Sequence, residues 1–91
     1  MTCFCYILEC ADGTFYTGWS TDPDRREKQH NRGAGARYTR SRRPVHLVYI
    51  EPQPDRAAAQ KRERRLKRLS HQQKSELARL QPPASPLAEQ P

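Results

Sequence analysis

Two apolar, β-prone runs flank the tripeptide Ala11-Asp12-Gly13, and that junction constrains the fold more than any other stretch of the chain. "CFCYILEC", residues 3–10, and "TFYTG", residues 14–18, are rich in aromatic and β-branched types and read as strands. Asp-Gly between such runs is a strong hairpin signal. A two-residue loop would pair Cys10 with Phe15 and put Tyr6 and Tyr16 on opposite faces. A three-residue loop, with Gly13 left-handed as a bulge, pairs Leu8 with Tyr16 and Tyr6 with Gly18. Both tyrosines then share one face, with a bare glycine beside the Tyr6 ring. The three-residue loop is favoured.

Downstream, Asp22 is a good N-cap and Pro23 suits the first helical position. That helix runs to about Asn31 or Arg32 and stops at Gly33. "GAGARYTRSRRP", residues 33–44, reads as a glycine- then arginine-rich loop. "VHLVYIE", residues 45–51, is a third strand, broken by "PQP". Asp55 caps a helix from about Arg56 to Leu69, with Ala59, Leu66 and Leu69 as its core stripe. Ser70 and Gln73 form a capping box that starts a last helix to about Leu80. The expected fold is α+β: a small three-stranded antiparallel sheet flanked by helices, in the order ββαβαα. Residues 1–80 form the domain, and 81–91 a disordered, proline-rich tail.

Only 34% of the 91 residues are hydrophobic, so one small domain is all that the chain can build. Seventeen Lys and Arg against ten Asp and Glu give a net charge of +7. That balance favours a polyanionic partner, nucleic acid before a membrane surface. Cys3, Cys5 and Cys10 are too crowded for a disulfide framework and lack the spacing of a zinc site. They read as reduced, buried thiols. With no secretory leader and no membrane-length apolar run, the protein is expected to be soluble and cytoplasmic, nucleoid association included.

Two helices carry ambiguous polar groups. Arg26 and His30 lie four apart on one face, but Arg25, Lys28 and Arg32 make a plain solvated surface the commoner explanation. Glu63 is the acid among Lys61, Arg62, Arg64, Arg65, Lys67 and Arg68, and projects about 60° from Leu66. It is either an i,i+4 partner for Lys67 or a ligand for a hard divalent cation. Tyrosines placed like Tyr6 and Tyr16 are more often core or sheet-surface residues than acids or bases.

Read in order, Tyr6, "YTG" (16–18), "DPDRREKQHN" (22–31) and Glu63 resemble a GIY-YIG nuclease domain over about residues 3–75. The similarity is to the small stand-alone bacterial members of the YhbQ type, and next to the Slx-type structure-specific endonucleases. The first motif appears as "FCY" and the second as "YTG", with Thr17 in place of isoleucine. The departures fall at strand-packing positions. Steps of ten residues from Tyr6 to Tyr16, eight from Gly18 to Arg26 and four to His30 fit the pattern.

The resemblance implies a divalent-metal-dependent, structure-selective DNA endonuclease. Tyr6 and Tyr16 are then the motif tyrosines, Arg26 the catalytic arginine, His30 the helix histidine and Glu63 the metal-binding glutamate. A single Mg²⁺ or Mn²⁺ is implied, with no small-molecule cofactor. Glu63 suffices as its protein ligand, because such ions keep most of their waters. Arg26 would relieve charge on the phosphoryl oxygens, Tyr6 would act as base and Tyr16 would orient water. His30 could assist either role. Arg37, Arg40, Arg42, Arg43, Lys61 and Arg64 would grip the DNA backbone without reading sequence. RNA as the target, a protein partner that delivers substrate, and a non-catalytic nucleic-acid-binding module of the same fold are the competing readings.

Overall fold

The structure, a computed structural model, describes residues 1–81. Strands β1 (Cys3–Glu9) and β2 (Phe15–Ser20) form the hairpin, followed by helices α1 (Pro23–Asn31) and α2 (Arg37–Arg40). Strand β3 (His46–Gln53) and helices α3 (Arg56–Lys67) and α4 (His71–Leu80) complete the order ββααβαα. The sheet is antiparallel with β1 in the centre, between β2 and β3. Among the described residues, no helix is long and apolar enough to cross a membrane.

The three-residue loop is the one adopted. Gly13 has φ +83°, its amide donates to the Cys10 carbonyl, and the Cys10 amide donates to the Thr14 carbonyl at 2.8 Å. Asp12 accepts from both the Thr14 amide and hydroxyl, which tightens the turn. The resulting register sets Tyr6 opposite Gly18 and Leu8 opposite Tyr16.

Strand alternation then sorts the core into two layers. Tyr6, Leu8, Cys10, Val45, Leu47 and Ile50 pack on one face, with Phe4 and Tyr16 at the margin. Cys3 and Cys5 pack on the other face against Ala59 and Leu66 of α3, with Trp19, Leu69 and Leu77 around them. All three cysteines are free and buried, and burial pushes the Cys5 thiol up to about 11. On that second face Tyr49, Gln53 and a bidentate Arg62 all donate to Glu51, which ties α3 to β3.

Helix caps match the sequence signals. Asp22, Asp55 and Ser70 each accept from a first-turn amide, and the Ser70–Gln73 capping box is complete. Gly33, at φ +82°, ends α1. Three expectations are corrected. The stretch 33–44 is not all loop, because residues 37–40 close a short helix around the buried Thr39. Strand β3 runs through Pro52 to Gln53, since a proline on an edge strand has no ladder donor to lose. Helix α3 ends at Lys67, two residues early, with Arg68 as its C-cap.

The outer edge of β3 is covered by side chains. The Asn31 carboxamide donates to the Val45 carbonyl and accepts from its amide, at 3.0 and 2.7 Å. Glu27 accepts from the Leu47 amide. Gln81 accepts from the Ile50 amide and donates to its carbonyl. Residue 48 is an extra residue in the β1–β3 pairing, because Leu8 faces Leu47 while Ile7 faces Tyr49. That bulge reverses the strand's parity, so 45, 47 and 50 all present amides outward. Gln81 thus belongs to the folded unit, one residue beyond the expected boundary. The remainder of the expected tail, 82–91, lies outside the described residues.

Candidate functional site

The Tyr6 ring lies across the backbone of Gly18. A Cβ at residue 18 would stand 2.7 Å from the phenol oxygen, so only glycine leaves room for the ring. Tyr6 itself is 1% exposed. Helix α1 brings the next two groups. The wholly buried His30 sets Nε2 3.4 Å from the Tyr6 hydroxyl, and its ring centre is 5.1 Å from that of the half-buried Tyr16. The Arg26 guanidinium stands beside the Tyr6 hydroxyl and is steadied by a 2.7 Å bond to Gln29. Unlike the exposed Arg25, Lys28 and Arg32, Arg26 is half-buried. The i,i+4 spacing therefore does point inward.

Burial dominates the electrostatics. It raises both phenols above their ordinary range, and Arg26 opposes the rise by its charge, and at Tyr6 also by hydrogen bonding. His30 is held down to about 4, by burial first and by Arg26 second. The imidazole is therefore neutral at physiological pH.

Glu63 arrives from α3, the layer behind the sheet. Its side chain is 19% exposed and lies 3.8 Å from Lys67, the i,i+4 pair that the spacing allows. Its charge nevertheless acts on Tyr6, Tyr16 and Cys5, raising each. Among the described residues no group of three His, Cys, Asp or Glu could hold a metal. A single, mostly buried carboxylate whose charge reaches both phenols suits a hard ion carrying its own water, and does not suit a multi-ligand site. On those terms a hard ion such as Mg²⁺ or Mn²⁺ is compatible with the donor present.

The expected backbone-gripping residues divide. Arg37 and Arg40 are exposed on α2. Arg42 is committed to Asp12, to the Tyr38 carbonyl and to the Tyr38 ring, 4.0 Å away. Arg43 donates to the Arg40 and Asn31 carbonyls. Both brace the loop. Lys61 and Arg64 are exposed on α3, and Lys61 lines a cleft with Gln53, Arg62 and Arg65, apart from the phenols.

Three residues of the site escape sequence reasoning. Gln29 holds Arg26, Thr39 touches His30, and Gly35 lies so close to the imidazole that a Cβ there would collide with Nδ1. The second glycine of "GAG" was the available signal, as a mark of close approach. Nothing in the pattern marks Thr39.

Residues 2–76 match the GIY-YIG catalytic domain. A UPF0213 protein of Halobacterium salinarum is 50% identical over 72 residues, which cover 79% of this chain and 94% of that protein. A UPF0213 protein of Staphylococcus aureus is 49% identical over 74 residues, covering 81% and 90%. Among solved structures, the solution NMR structure of a UPF0213 protein from Bacillus halodurans superposes with a TM-score of 0.55 at 46% identity, covering 89% of this chain and 86% of that one. A protein from E. faecalis gives 0.58 at 40% identity, covering 88% and 85%. With the domain match spanning the hairpin, α1 and Glu63 alike, the chain belongs to the GIY-YIG catalytic domain family.

Proposed function

We propose that this protein is a structure-selective endonuclease that hydrolyses phosphodiester bonds in branched, flapped or single-stranded DNA with one Mg²⁺ or Mn²⁺ ion. The observation that carries the reading is the meeting of Tyr6, Arg26 and His30 over the bare backbone of Gly18. A half-buried guanidinium held against a buried phenol is a costly arrangement for packing alone, and it suits a site where negative charge develops.

Arg26 has donors in a planar fork to offer the non-bridging phosphoryl oxygens. Tyr6 accepts the proton of the attacking water, and Arg26 stabilises the phenolate this requires. Tyr16, at the margin of the same face, orients that water. Glu63 would hold the divalent ion, which when bound would supply positive charge to the reacting phosphate. Arg37 and Arg40 hold the backbone by charge. Specificity comes from the shape of the DNA, because among the described residues no helix presents Asn or Gln as a base-reading row.

The burial that raises both phenols favours one rival, a nucleic-acid-binding module of this fold without turnover. A panel of branched, flapped, single-stranded and duplex DNAs, with matching RNAs, separates the two. The expected result is nicking that needs added Mg²⁺ or Mn²⁺, is abolished by Arg26→Ala and by Glu63→Gln, and leaves binding in place. Metal-independent binding with no nicking on any substrate overturns the nuclease reading. Nicking that survives Glu63→Gln overturns the metal assignment.

A further inference from the structure

The imidazole of His30 is surrounded by more hydrogen-bonding groups than a core histidine needs. Nδ1 lies 3.2 Å from the Ala36 amide nitrogen and 2.7 Å from the Thr39 hydroxyl. Nε2 lies 3.4 Å from the Tyr6 hydroxyl. Donor counting decides which nitrogen carries the proton. The amide hydrogen of Ala36 is fixed by the backbone and points at Nδ1, which favours a lone pair there. The hydroxyl of Thr39 can rotate. It can also donate to the Ala36 carbonyl, at 2.9 Å, but that carbonyl keeps the Thr39 amide as a donor without it. With the Thr39 proton turned to Nδ1, the amide and the hydroxyl share its single lone pair. In the opposite tautomer the Ala36 amide would face an N–H and be left without an acceptor, which costs about 1–3 kcal/mol when buried.

We propose that Thr39 is a positioning residue for this site: with the Ala36 amide it fixes the lone pair on Nδ1 of His30, so that Nε2 carries the proton and donates to the Tyr6 oxygen. His30 is then no base, since its one free nitrogen is already occupied. It is a second donor, beside Arg26, to the oxygen that becomes negative when Tyr6 ionises. The 3.4 Å separation is that of a resting site and shortens as charge develops. The absence of a side chain at Gly35 gives the ring its place against the chain. Burial first and Arg26 second keep the ring neutral, so one of its nitrogens carries a lone pair at physiological pH. One turn, α2, thus carries the exposed Arg37 and Arg40 on one side and the buried anchor of His30 on the other.

The rate consequence rests on the nuclease reading, whereas the tautomer does not. Long-range ¹H–¹⁵N correlation spectra of the uniformly labelled full chain near neutral pH read both ring nitrogens. The expected spectrum shows a lone-pair nitrogen at Nδ1 and an N–H nitrogen at Nε2. An N–H at Nδ1, or an imidazolium, overturns the proposal. Thr39→Val should mix the tautomers and lower kcat about tenfold. KM on the same DNA should stay within about twofold, and Thr39→Ser should restore both readouts. Unchanged tautomer and unchanged kcat in Thr39→Val overturn the role of Thr39. If Thr39→Val does not fold, Thr39→Ala is read in the same way. A wild-type protein that nicks nothing ends the nuclease reading, and the spectrum still decides the tautomer.

Discussion

Gly18 and Tyr6 face each other across the hairpin so closely that the glycine's missing side chain is the space the phenol occupies. Gly18→Ala therefore forces the ring or the strand to move. A loss of about 1–3 kcal/mol is expected from the overpacking. Urea unfolding measures that loss, and nicking should fall with it because Tyr6 leaves Arg26. A variant with wild-type stability and activity would show that the ring has another place to go.

Thr17 stands where the family motif has isoleucine, and the structure shows what the exchange costs. It is 2% exposed, and its hydroxyl has no hydrogen-bond partner. Thr17→Val keeps the shape and removes the stranded group. The variant should be more stable by about 1–2 kcal/mol, read as a higher urea midpoint at constant m. A lower midpoint would mean that the hydroxyl is bonded in solution.

His30 makes stability depend on pH with a defined sign. Its folded pKa of about 4 lies below the ordinary 6.5, so as pH falls the unfolded chain takes up the proton first. The contribution of the neutral ring is complete above about pH 6.5 and is lost between there and about pH 4. Its full size is on the order of 3 kcal/mol. Unfolding measured near neutrality and near pH 5 should show a steeper loss in the wild type than in His30→Gln. Equal slopes would refute the assignment.

The two acids on the α3 side differ in their ties. Glu51 accepts two bonds from Arg62 and others from Tyr49 and Gln53, and these outweigh burial to hold its carboxyl below the usual range. Arg62→Ala should cost about 1–2 kcal/mol. Lys67 is 53% exposed and 3.8 Å from Glu63, so Lys67→Ala should change stability by less than about 0.5 kcal/mol. Thermal unfolding of both variants distinguishes them, and equal effects would contradict this ranking.

Much of the architecture is legible in the chain because its signals are local. Asp12-Gly13 set the hairpin register, Asp22-Pro23 and Gly33 bounded α1, and the Ser70–Gln73 box started α4. Helix α2 escaped because its N-cap, Ala36, makes no side-chain cap; Thr39 bonds to His30 instead. Pro52 misled for a related reason. A proline breaks a central strand, and only the sheet order reveals that β3 is at the edge. Tyr6, Tyr16, Arg26 and His30 were recoverable from spacing, since hairpin register and helical period bring them together. The approach of Glu63 from the opposite layer depends on how α3 docks, which no local pattern encodes.

The side chains along the outer margin of β3 also govern how the chain can change in length. Asn31, Glu27 and Gln81 meet backbone groups at 45, 47 and 50, and the match depends on the one-residue bulge at Val48. Adding or deleting a residue between Val45 and Ile50 would put the amides on its two sides out of phase, so that the α1 side chains and Gln81 could no longer all meet their partners. The same change in the 53–55 connection disturbs no such match. Evolution of this small domain is thus free to vary its linkers but is bound to count residues in its last strand.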